Sequence, residues 1–106
     1  MWFVFPQIAG LGHSSTAIFY ALADCREAEA YAGHPVLGPR LLDCTAAMMR
    51  WAGRRSAADV LGEVDAPKFA SSMTLFEASA ADAAPFAAAL DAFNGGKRDP
   101  LTLARL

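Results

Sequence analysis

His34-Pro35-Val36-Leu37-Gly38-Pro39-Arg40-Leu41-Leu42-Asp43-Cys44-Thr45-Ala46-Ala47-Met48-Met49-Arg50-Trp51-Ala52-Gly53 is the stretch that decides the fold. Its apolar residues, Leu37, Leu41, Leu42, Met48, Met49 and Trp51, recur with a helical period and not by alternation. Proline near the start suits a first helical turn and Gly53 suits a stop, so a long amphipathic helix is expected here, taken as the central one.

The flanking segments repeat the pattern. Ser14 or Ser15 can cap a helix running through Tyr20 and Leu22. Asp24 caps another that Gly33 closes, with Glu27 placed for a capping box. Downstream, Ser56 with Asp59 starts a short helix to Leu61, and Asp65 before Ala66-Pro67 starts one through Leu75, Phe76 and Ala78. Asp82 opens a helix with Phe86, Leu90 and Phe93 that Gly95-Gly96 ends, and Asp99-Pro100 begins a terminal one with Leu101, Leu103 and Leu106. No segment alternates convincingly between turn signals. The expectation is an all-α fold, a single compact bundle of about seven short helices over residues 1–106.

Length and composition agree with one domain. The 106 residues are too few for two cores without disulfides or metal. The hydrophobic fraction of 55% is high largely through alanine, which favours helix and a well-filled core. Nine scattered basic residues and a net charge of −2 lack the electrostatic footprint of a nucleic-acid binder. The apolar opening Met1-Trp2-Phe3-Val4-Phe5 is too short to span a membrane and lacks the features of an export signal, so a cytoplasmic protein without membrane contact is expected. Cys25 and Cys44 show no metal-ligand spacing, fall in different helices, and are expected as reduced, buried thiols.

Few constellations suggest chemistry. Gly10-Leu11-Gly12-His13-Ser14-Ser15-Thr16 has the ingredients of an anion-holding loop at a helix start, but it matches no nucleotide fingerprint and reads as a turn with a hydroxyl cap. Gly95-Gly96-Lys97 before Asp99-Pro100 reads as one helix end and the next start. No nucleophile elbow, metal-ligand set or cofactor motif is seen. Lys68, Ser71 and Ser72 share one helix face, opposite Phe69, Met73 and Phe76, a polar face with one cation that either binds an anion or bonds back to the backbone. His34 suits acid–base work or a helix cap bonded to a nearby carbonyl, and Arg40 with Asp43 suits a solvated ion pair.

Three blocks taken in order carry a family resemblance: Trp2-Phe3-Val4-Phe5-Pro6-Gln7, His34-Pro35-Val36-Leu37-Gly38-Pro39-Arg40-Leu41, and Lys68-Phe69-Ala70-Ser71-Ser72-Met73-Thr74-Leu75-Phe76. With Asp99-Pro100-Leu101-Thr102-Leu103 they make the whole chain similar to the bacterial domain-of-unknown-function family eighteen-ten, sometimes mislabelled calpastatin in genomes, which has a mycobacterial member of known all-α structure. The resemblance implies the fold and no activity, substrate or cofactor, and nothing in these residues supports the calpastatin label. Its polar signature falls on Gln7, His34, Arg40, Lys68, Ser71, Ser72 and Thr74, with Trp2 beside them, and these are the candidate ligand-binding residues. Family members usually carry helical sequence before the Trp-Phe block. The resemblance therefore implies an uncovered apolar surface near Met1, with lower stability or homo-oligomer formation as its consequence.

Three functional expectations follow. The first is a module binding an anionic small molecule through Arg40, Lys68, Ser71 and Ser72. The second is a small enzyme acting on a phosphorylated or nucleotide-like metabolite, with His34 as acid or base and Lys68 with Arg40 stabilising charge. The third is a protein-interaction subunit using apolar surface.

Overall fold

A computed structural model describes residues 4–11, Ser15 and 21–106. It contains six helices among the described residues: α1 (Cys25–Gly33), α2 (Leu37–Met49), α3 (Ala57–Leu61), α4 (Ala66–Ser79), α5 (Ala84–Phe93) and α6 (Pro100–Leu103). Strand pairing among them is confined to an isolated parallel bridge between Ile8 and Leu22. The Leu22 N–H donates to the Gln7 carbonyl at 2.9 Å and the Ala9 N–H to the Leu22 carbonyl at 2.8 Å. Leu22 therefore ends the expected first helix early. The rest of that helix, apart from the helical Ser15, lies outside the described residues, as do His13 and Trp2.

The caps form largely where short-range chemistry calls for them. Asp24 accepts the Glu27 N–H at 2.9 Å, while the Glu27 carboxylate accepts from Ala23 N–H at 3.4 Å, one residue before the position a capping box uses. Ser56 and Asp59 make the full reciprocal box, with both bonds at 3.1 Å. Asp99 accepts the Thr102 N–H at 3.1 Å. Gly95 and Gly96 take positive φ values of 60° and 75° at the end of α5, a conformation that costs glycine little. Asp65 departs from expectation: its carboxylate makes no cap bond and instead pairs with Lys68 Nζ at 3.2 Å.

The central helix is α4, not the 34–53 stretch. It packs on α1, α3, α5 and α6, and every residue from Ser71 to Phe76 is buried. The apolar stripe of α2 is correspondingly narrower than its sequence suggests. Leu42 is 44% exposed, and Trp51, beyond the helix end at Met49, is also 44% exposed. Phe69 meets Phe5 and Phe93 nearly perpendicular at centroid distances of 4.9 and 5.9 Å, while Phe76 lies tilted against Tyr31 at 5.7 Å and Phe86 at 5.6 Å. Each such pair contributes about 0.5–1.5 kcal/mol beyond the area it buries.

Close approach of α1 and α2 depends on Gly38, where an added methyl would overlap the Ala32 carbonyl oxygen. At Gly33, by contrast, a methyl meets open space. Gly38→Ala is therefore expected to destabilise the fold by about 1–3 kcal/mol through overpacking, and Gly33→Ala to be neutral or to stabilise by about 0.4–1 kcal/mol. Urea unfolding of the two variants beside the parent checks the contrast, and equal effects would contradict the packing assigned to Gly38.

Candidate functional site

The expected site residues are built into the fold in different places. His34 stands at the start of α2, and its Nδ1 accepts the N–H groups of Val36 and Leu37, both at 3.1 Å. Its carbonyl accepts the Gly38 N–H at 3.0 Å, so helical bonding begins at His34 with Pro35 in the first turn. The imidazole caps backbone amides and not the expected carbonyl, which requires Nδ1 to be unprotonated with the proton on Nε2. Arg40, exposed on α2, makes no ion pair with Asp43 and lines a cavity of ≈ 30 Å³ with Val4, Tyr31, Leu37, Leu41 and Cys44. Burial pushes the Tyr31 phenol above its ordinary value, the Arg40 charge pulls it back in part, and Cys44 adds to the upward push.

On α4 the serines and threonine are buried, so they do not form an open polar face. Ser71 Oγ shares its one proton between the Pro67 carbonyl at 3.0 Å and Asp99 Oδ2 at 2.9 Å. Thr74 Oγ1 donates to the Ala70 carbonyl at 2.8 Å and accepts the Asp99 N–H at 2.9 Å. Asp99 Oδ2 also takes the Thr102 hydroxyl at 2.6 Å, so one carboxylate oxygen gathers α4 and α6. Ser72 Oγ is buried without a hydrogen-bond partner, and nothing in the structure explains it. Gln7 is buried beside Leu22, its carbonyl in the bridge.

A second linkage was absent from the sequence reading. Arg98 grips Glu77 of α4 in a two-pronged ion pair, Nε to Oε1 at 2.8 Å and Nη2 to Oε2, with Asp91 Oδ1 at 4.0 Å from Nη1. The α4 partners of Asp99 and Arg98 lie 21 to 28 positions away in the chain. No local spacing signals such contacts.

A wider concavity lies elsewhere. A groove of ≈ 580 Å³ runs between α3, the first turns of α4, the end of α5 and residues 94–100. Phe69, Leu90 and Phe93 give it apolar walls, and Ala57, Ala58, Ala66, Ala70 and Ala89 leave the space by being small. Glu63, Asn94, Lys97, Arg98 and Asp99 supply its polar edge. A cleft of ≈ 340 Å³ between α1, α2 and α5 is lined by Ala32, Leu41 and Phe86 with Glu29 and Asp82. Gln7, His34, Lys68, Ser71, Ser72 and Thr74 line none of these three cavities. Ser71 and Thr74 do converge, on Asp99, but His34, Arg40 and Lys68 share no cavity among the three. Among the described residues no group of three or more His, Cys, Asp or Glu side chains is placed to hold a metal ion. No described helix is long and apolar enough to cross a membrane.

The structure thus defines an all-helical globule in which His34, Ser71 and Thr74 of the polar signature hold the fold and an alanine-lined groove lies apart from them. The chain belongs to the family described as "Protein of unknown function (DUF1810)", whose model matches residues 1–106. It is similar to the conserved hypothetical protein Rv1873 from Mycobacterium tuberculosis, known from a crystal structure, with 42% identity and a TM-score of 0.93 over 99% of this chain and 74% of that one. No curated protein matches the chain.

Two outcomes follow from these contacts. His34→Ala is expected to cost about 0.5–2 kcal/mol and His34→Asn, which retains a capping acceptor, much less, as read from urea midpoints. Arg98 hydrogen bonding holds the Glu77 carboxyl below its usual value, so the pair stabilises the fold above the ordinary carboxylate range and is lost as pH falls through the lowered Glu77 value. Glu77→Gln should therefore lower stability at about pH 7, and its difference from the parent should close toward about pH 3. Urea melts across that range check it, and a gap that widens with acid would contradict the pairing.

Proposed function

We propose that this chain is a binding module for a small molecule with an apolar body and an anionic end, seated in the groove between α3, α4 and α5. The observation that carries the reading is the ≈ 580 Å³ groove itself, apolar on its walls and edged on one side by Lys97. Ligand sites are concave, mostly apolar and supplied with a few polar groups that orient the ligand. Lys97 makes no ion pair among the described residues, which leaves its ammonium able to meet a carboxylate or phosphate at the groove edge. Arg98 beside it is engaged by Glu77.

The surface expected at Arg40, Lys68, Ser71 and Ser72 does not support the same ligand. Ser71 and Ser72 are buried, Lys68 pairs with Asp65, and Arg40 faces a cavity too small for a metabolite. Catalysis draws no support from His34, whose Nδ1 is taken up by two backbone amides. A cytoplasmic setting goes with this reading, since Cys25 and Cys44 are free thiols.

Thermal-shift titration with octanoate, octyl phosphate and the neutral octanol tests the proposal. A probe at about a hundred times its Kd adds about 2.7 kcal/mol of stability. Ala70→Phe, which fills the groove, should abolish the shift for all three, and Lys97→Ala should weaken the two anions and spare octanol. Absence of any shift, or a shift that Ala70→Phe leaves intact, would overturn the reading.

A further inference from the structure

Taking the groove as the binding site, we infer that the segment from Gly95 to the end of the chain is a strap that closes one side of it and swings open at Gly95-Gly96. Lys97, Arg98, Asp99 and Pro100 form that side of the groove, so moving the segment removes a whole wall. Two consecutive glycines with positive φ stand where the segment leaves α5, and a Cβ at Gly95 would meet open space. Backbone rotation at Gly95 meets no neighbouring side chain, and at Gly96 it breaks one backbone bond, from its N–H to the Leu90 carbonyl at 3.1 Å.

The attachments of the strap are polar. Arg98 reaches Glu77, Asp99 reaches Ser71 and Thr74, and at the far end the Arg105 guanidinium packs against the backbone of Gly10. The leucines do not anchor it: Leu101, Leu103 and Leu106 are 66%, 49% and 46% exposed, and Thr102 is the one fully buried side chain of α6. Opening exchanges those bonds for bonds to water and uncovers hydroxyls that water can satisfy. The bonds of α4, by contrast, lie beneath Phe69, Met73 and Phe76 and open only when the core does. Local opening is favoured where buried apolar contacts are few, and the strap is such a region.

Hydrogen exchange of the full chain, read by mass spectrometry, tests this without any ligand. Peptides covering 97–106 should exchange at least about a hundredfold faster than peptides covering α4. Ser71→Ala combined with Glu77→Gln should speed strap exchange by about a further tenfold while α4 stays unchanged. Equal protection of strap and α4, or variants that accelerate both alike, would overturn the strap. Gly95→Ala, which puts a side chain on a residue held at a φ of 60° in the closed arrangement, gives a second check and should speed strap exchange relative to the parent while α4 stays unchanged. Octanoate added to the parent should slow strap exchange specifically; a strap that opens but ignores octanoate, octyl phosphate and octanol alike supports the hinge and overturns the groove as their site.

Discussion

Burial of α4 on every face is the constraint from which the rest of the structure follows. A helix carrying Ser71, Ser72 and Thr74 into a core gains from every hydroxyl that finds a partner, because an unmatched one costs about 1–3 kcal/mol, a cost borne here at Ser72 and avoided at Ser71 and Thr74. Ser71 and Thr74 satisfy themselves against the Pro67 and Ala70 carbonyls one turn back, a solution that needs no neighbour. Their second bonds, to the carboxylate and N–H of Asp99, then recruit the end of the chain. With the polar side closed in this way, Phe69 and Phe76 are free to organise two aromatic groups, one through Phe5 and Phe93 and the other through Tyr31 and Phe86.

The same constraint explains how far the sequence could be read. Helix limits depend on interactions within four residues, and Asp24, Ser56 with Asp59, Gly95-Gly96 and Asp99 act at that range. Which helix lies at the centre depends on packing, and there hydrophobic pattern misleads. The 34–53 stretch is richer in large apolar residues, yet Leu42 and Trp51 face outward, whereas the hydroxyls of α4 read as a surface and are interior. The difference is that a hydroxyl bonded to its own helix is nearly apolar to its surroundings, a fact about geometry that residue type does not carry.

The blocks that carry the family resemblance take on physical sense in this light. In His34-Pro35-Val36-Leu37-Gly38, the histidine caps two amides, the proline occupies the first turn, and the glycine admits the Ala32 carbonyl. The 68–76 block and Asp99-Pro100-Leu101-Thr102 are distant in sequence and adjacent in space, joined through one carboxylate oxygen of Asp99. The blocks that carry the resemblance thus help to close this core, and His34, Ser71 and Thr74 are occupied in doing so.

A ligand site in such a protein has to be sought among residues that form no motif. The groove exists because alanine stands at positions 57, 58, 66, 70 and 89, and in the sequence those alanines look the same as alanines that fill a core. Ala28 is fully buried and Ala89 is both buried and a groove wall, so residue type and burial together do not separate the two roles. The distinguishing feature is what stands opposite. Ala70 and Ala89 line the groove together with Lys97, Arg98, Asp99 and Pro100, and small side chains beside a segment held by polar bonds leave a space that opens to solvent instead of a sealed core.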